Sequence, residues 1–109
     1  MAYDEGLAHR VRERLRGEPG LTEMERFGGL GFMLEGNLAC GVVGDALVAR
    51  VGPEAYEAAL EAPGARPFDF TGRPMRGWVF VDPPGLESDE ALDRWVERST
   101  AFAGSLPPK

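Results

Sequence analysis

Three short apolar runs, Leu30–Leu34, Leu38–Val43 and Ala46–Val51, are separated only by short breaks at Gly36-Asn37 and Gly44-Asp45. Gly followed by Asn or Asp is a two-residue hairpin signal, because such turns need a positive φ at their first position. The stretch from Phe27 to Val51 therefore predicts a three-stranded antiparallel meander. With two residues in each loop the register follows by counting. Met33 then opposes Cys40, Phe32 opposes Gly41, Val42 opposes Leu47, and Cys40 opposes Ala49. Opposed residues share a face. One face carries Met33, Leu38, Cys40, Val42, Leu47, Ala49 and Val51, and is the expected core side. The other carries Leu30, Phe32, Leu34, Ala39, Gly41, Val43, Ala46, Val48 and Arg50. It is too apolar for a wet face, which would alternate with polar residues.

Helical patterns flank the meander. Asp4 is a good N-cap, and Leu7, Val11 and Leu15 recur at i, i+4 and i+8 before Gly17 and Glu18-Pro19-Gly20 end the helix. Arg10, Arg12, Arg14 and Arg16 are spaced by two, so they spread around that helix as a solvated face. The alternation in Leu21–Phe27 permits an edge strand, and Gly28-Gly29 permits a bulge or a close backbone approach. Pro53 at a first helical position predicts a second helix, with Tyr56, Ala59 and Leu60 on its apolar side and Pro63-Gly64 as its stop. Phe68–Phe70 and Trp78–Val81 read as two further strands, joined by Thr71-Gly72-Arg73-Pro74. Ser88 caps a last helix whose stripe of Leu92, Trp95, Val96, Ser99, Phe102 and Ala103 suits packing on a sheet. The order is helix, three strands, helix, two strands, helix, within one domain spanning residues 1–109.

The chain has 109 residues, 43% hydrophobic and 28% charged, with a net charge of −6. That balance argues against a broad phosphate-binding surface, so direct nucleic-acid binding is not expected. No apolar run reaches membrane-spanning length and no signal-peptide pattern opens the chain, so a cytoplasmic location is expected. A single cysteine permits no intrachain disulfide. Cys40, between Ala39 and Gly41 in a predicted strand, reads as a buried small hydrophobe rather than a reactive thiol. His9 is the only histidine and falls at a surface or partly buried helical position; with one Cys it cannot complete a four-ligand zinc site. No catalytic residue, metal or cofactor is expected, because no paired carboxylates, oriented nucleophile or metal cluster emerges.

Two surfaces carry candidate residues. Arg50 lies at a strand end, while Arg66, Arg73 and Arg76 bracket the Phe68–Met75 turn. Arginine forks suit phosphate or carboxylate. The alternative is pairing with local acids such as Asp69, Glu54 or Asp82. The second surface is the semi-apolar sheet face, with Phe32, Leu34, Val43 and Val48 as its candidate interaction residues. Either the Phe68–Val81 segment or a second copy of the chain covers it. A homodimer built on it would become a monomer once Phe32 and Val48 carry charged side chains.

Phe27-Gly28-Gly29-Leu30-Gly31-Phe32-Met33, the Gly36-Asn37 hairpin, Arg50-Val51-Gly52-Pro53-Glu54 and Arg66-Pro67-Phe68-Asp69-Phe70-Thr71-Gly72-Arg73-Pro74-Met75 together resemble the N-terminal domain of TfoX/Sxy, bacterial regulators of natural competence. The resemblance covers nearly the whole chain, and it is the combination of motifs that is specific. It implies an α+β fold of two layers, with helices on an antiparallel sheet similar to secretion-chaperone-like folds. It also implies a non-enzymatic regulatory module that acts through a protein partner or self-association. In the family's regulators this domain is accompanied by a C-terminal domain resembling helix-hairpin-helix modules, which this chain is expected to lack.

Overall fold

The computed structural model describes residues 3–26, 28–69 and 72–108. Phe27, the expected end of the first strand, and Phe70-Thr71, in the expected hairpin, lie outside them. The described elements are α1 (Glu5–Leu15), β1 (Leu21–Arg26), β2 (Gly29–Leu34), β3 (Asn37–Val43), β4 (Ala46–Arg50), α2 (Tyr56–Leu60), β5 (Ala65–Pro67), β6 (Trp78–Val81) and α3 (Asp89–Gly104), with a 3-10 turn at Pro83–Gly85. The strands form one antiparallel sheet in the order β1-β2-β3-β4-β6-β5. The α+β class and the element order are as the sequence predicts. Two changes extend them: Leu21–Arg26 is an edge strand, and the strand before β6 is Ala65–Pro67, with Phe68 and Asp69 of the expected strand outside it. Pro67 is tolerated because β5 is the outermost strand, where one N–H of the ladder can be absent.

Both long helices begin as their sequences dictate. The Leu7 N–H donates to Asp4 Oδ1 at 3.1 Å, and the Ala91 N–H donates to Ser88 Oγ at 3.0 Å. These bonds satisfy donors that a helix start leaves unpaired. The second helix starts later than expected: Pro53–Ala55 form a turn, and α2 begins at Tyr56.

The hairpin between β2 and β3 departs from the expected register. Its loop is Glu35-Gly36, not Gly36-Asn37, and both loop residues have positive φ, 51° and 86°. A turn with two such residues matches the twist of the flanking strands. Glu35 is the only non-glycine residue with positive φ among those described. Its N–H donates to the Gly20 carbonyl at 3.0 Å, which ties the turn to the loop after α1. Asn37 is buried, and its Nδ2 donates to the Pro107 carbonyl at 2.9 Å, so it anchors the C-terminal tail instead of making the turn. Gly44-Asp45 forms its loop as expected, and Val42–Leu47 and Cys40–Ala49 pair as predicted.

A one-residue slip between Phe32 and Met33, not the moved loop, turns β2 over: moving a two-residue loop by one position shifts the pairing by two and keeps each face. Phe32 opposes Cys40, and Leu30 opposes Val42. A one-residue slip exchanges the faces of a strand. Leu30 and Phe32 therefore join Cys40, Val42, Leu47 and Ala49 in the main core, against Leu7, Val11 and Leu15 of α1 and Leu92, Trp95 and Val96 of α3. Met33 and Leu38, expected on the core side, face the other way. This slip leaves Ala39 as an extra residue that packs with Leu34 and Ala103 on the helix side.

The second sheet face has its own small core. Ala46, Val48, Phe68 and Phe80 pack together, with Val43, Met75 and Trp78 partly buried around them. Phe68 leaves the strand after β5 and lies over the sheet, its ring 4.7 Å from that of Phe80 and 5.8 Å from that of Trp78. The segment after β5 is thus the cover that the apolar second face required. Met24, 45% exposed, is the one large hydrophobic side chain left open among the described residues.

Candidate functional site

The four candidate arginines do not converge. Arg66, on edge strand β5, forks onto Asp82, with Nε–Oδ2 at 2.7 Å and Nη2–Oδ1 at 3.1 Å, and lies 4.5 Å above the Phe80 ring. The Asp82 hydrogen bonds hold its guanidinium more firmly protonated than usual. Arg76 is exposed, 3.5 Å from Glu57 and over the Tyr56 ring. Local acids thus take up Arg66 and Arg76. Arg73 is exposed on the Gly72–Pro74 segment, with no ion pair to a described residue.

Arg50 is different. It is half-buried, with its guanidinium 4.9 Å from the Trp78 ring and 5.3 Å from the Phe102 ring, and its Nη1 donates to the Leu38 carbonyl at 3.2 Å. Burial without a carboxylate pushes its pKa down. Its contacts fasten the end of β4 to β6 and α3.

The candidate interaction face is not a free surface. Phe32 and Val48 are 0% exposed and Leu34 is 6% exposed; Phe32 and Leu34 lie on the helix side, while Val48 is under Phe68. Only Val43 is partly open. Charges at Phe32 and Val48 would therefore disrupt the fold, so those substitutions cannot report on a dimer.

Cys40 is fully buried beneath the helices, and burial pushes its thiol up to about 12. Thiolate is the reactive form, so native Cys40 should resist a thiol reagent at neutral pH and become labelled only in denaturant. Stability has a matching pH dependence. Below the ordinary thiol value of about 9 both states hold the proton. Between there and about 12 the unfolded chain alone releases it, so stability falls as pH rises. Thermal melts of wild type and Cys40→Ala should diverge across that interval, with the wild type losing more. Parallel melts would contradict the burial. His9 is exposed on α1, and no cluster of three metal-ligating side chains occurs among the described residues.

The side of the molecule formed by α2 and α3 was not legible as a site in the sequence. One hollow of about 460 Å³ lies between Ala62-Pro63, the Pro84-Gly85 turn and the α3 residues Ala91, Arg94, Trp95 and Arg98, with Glu87 and Ser88 at one end. A second, of about 490 Å³, is lined by Val51, Ala55 and Ala58 on one side and Arg98, Ala101 and Phe102 on the other. Arg98 is in both walls. The two hollows are therefore halves of one groove along α3, whose wall residues 91, 94, 95, 98, 101 and 102 follow helical spacing. The guanidinium of Arg98 sits 5.3 Å from the Trp95 ring.

Ion pairing sharpens this picture. Arg10 and Arg14 pair with Asp89 and with Asp89 and Asp93, tying α1 to α3; Arg12 pairs with Glu23 on β1, and Arg16 with Glu13. Together with Arg66 and Arg76, these are satisfied. Among the arginines whose side chains are described, only Arg50, Arg73, Arg94 and Arg98 lack a carboxylate partner. Arg94 and Arg98 line the groove, and Arg50 is against Phe102, one of its wall residues.

No helix among the described residues is long and apolar enough to cross a membrane. No curated protein and no solved structure matches the chain. A family model does: the TfoX N-terminal domain, over residues 13–103, which takes in everything from the last turn of α1 to the last turn of α3. The protein therefore belongs to the TfoX N-terminal domain family, a family of non-catalytic domains related to competence regulators.

Proposed function

We propose that this domain is a cytoplasmic regulatory module that works by contacting a partner protein, without touching nucleic acid itself. Family membership carries the reading. Two features support it. The net charge of −6 disfavours a phosphate-tracking surface. The candidate anion-binding arginines Arg66 and Arg76 are engaged by Asp82 and Glu57, which leaves little for a small-anion site at the turn. A homodimer through the second sheet face loses its main motive, because Phe68 covers the centre of that face.

Affinity capture from a lysate of the source organism, with light scattering of the purified chain, tests the reading. The expected result is a stoichiometric protein partner and a monomeric free chain. A chain recovered alone, or one carrying only nucleic acid, would overturn it.

A further inference from the structure

We infer that the α2–α3 groove receives a short segment of a partner protein that presents apolar side chains flanked by carboxylates. The inference rests on the interaction-module reading above and names the surface and the chemistry of its partner.

The groove is mainly apolar beside Ala55 and Phe102, mixed polar and apolar beside Pro84-Gly85, and has a basic rim. Ala55, just before α2, and Ala58 within it face Ala101 and Phe102 of α3; farther along, Ala62 and Pro63 face Ala91 and Trp95. Small side chains on both walls leave the floor open to an incoming side chain, while the partly exposed Phe102 ring gives it an apolar surface. Counting from Ala91 to Phe102 at about 1.5 Å per residue, the wall runs for roughly 16 Å, enough for about three turns of helix or five residues of strand.

Charge identifies the occupant. The molecule as a whole is acidic and most of its arginines are neutralised in place, yet Arg94 and Arg98 are exposed, one helical turn apart and without a carboxylate. Exposed cations flanking an apolar trough attract carboxylates and can fork onto them bidentately. Glu87 at the end of the hollow beside Pro84-Gly85 sets a direction, since it repels an acid there and favours apolar or basic residues at that end of the segment. A basic or neutral segment could use the trough but would gain nothing from Arg94 and Arg98.

The test is selection of random short peptides displayed on phage, against the immobilised full chain and against an Arg94→Glu/Arg98→Glu variant. Both side chains are exposed and make no ion pair, so the variant should keep its circular dichroism spectrum. An Ala101→Gln variant, which narrows the trough without changing charge, serves as an independent second probe. Peptides enriched on wild type should combine Asp or Glu with Leu, Phe or Trp. They should bind the charge-reversed variant about tenfold more weakly or worse, weaken as salt rises, and lose affinity for Ala101→Gln. Enriched peptides that bind all three proteins alike, or that carry no acidic residues, would remove the groove while leaving the module reading intact. Absence of any enriched peptide would count against both.

Discussion

Replacing Phe32 with alanine should cost about 3–5 kcal/mol of stability, the largest single-residue loss expected from an ordinary core truncation in this domain. Phe32 is 0% exposed, opposite Cys40, and belongs to the core that joins the sheet to α1 and α3. Truncation removes most of its apolar area and leaves a cavity that the rigid sheet cannot close. In urea, where small domains lose about 1–3 kcal/mol per molar, the midpoint should fall by roughly 2 M. Phe32→Asp should give no folded protein at all. Without the one-residue slip that leaves Ala39 unpaired, Phe32 would lie on the other face, and the same aspartate would at most dissociate a dimer. A folded Phe32→Asp protein would therefore contradict the register itself.

Gly29→Ala should lose about 3 kcal/mol although it adds only a methyl group. Gly29 opens β2, and a Cβ built on it would sit 2.1 Å from the Val42 carbonyl oxygen and 3.1 Å from Val43 Cα. Both obstacles are backbone of the neighbouring strand, so no rotamer change relieves the clash; β2 and β3 must separate where the meander begins. For a domain of this size the loss corresponds to a fall in melting temperature of roughly 10–20 °C. Gly104→Ala provides the control. It lies in the last turn of α3, where an added Cβ would meet nothing within 4 Å, and its φ is not positive. It should be neutral or gain up to about 1 kcal/mol from helix propensity. Similar effects at the two positions would show that glycine at 29 is not there for strand contact.

What was legible in the sequence follows from how local each signal is. Helix starts at Asp4 and Ser88, and the Gly44-Asp45 loop, depend on neighbouring residues and were readable as such. The first hairpin was not. Glu35-Gly36-Asn37 contains two overlapping two-residue loops, and the preference for Gly and Asn in left-handed conformations pointed to the second. Contacts far along the chain decide between them: the Gly20 carbonyl receives the Glu35 N–H, and Asn37 is held by Pro107. The face exchange of Phe32 and Met33 comes from a second irregularity, the extra residue Ala39 in β3, which no local signal in the sequence marked. Phe68-Asp69-Phe70 alternated like a strand, but Phe68 serves as a plug on the sheet, a role that depends on Val48 and Phe80 being beneath it.

The candidate site shows the same division. That arginines prefer nearby acids could be read from composition, and Arg66–Asp82 is such a pair. Which arginines remain unpaired could not be read, because Arg10 and Arg14 find Asp89 and Asp93 from 75 to 79 positions away. The spacing of Arg94, Trp95 and Arg98 was visible, yet a charged helix face usually means solvent. Only the placement of α2 beside α3 makes it a wall.

The most direct test of the central claim, that this non-catalytic domain acts through a protein partner, is hydrogen exchange of the chain alone and in complex with the protein it captures. The account predicts slowed exchange in residues 55–63 and 91–102, the two walls of the groove, with β1 and β2 unchanged. Protection confined to Thr22–Met33 on the outer strands, or no partner to form the complex, would contradict it.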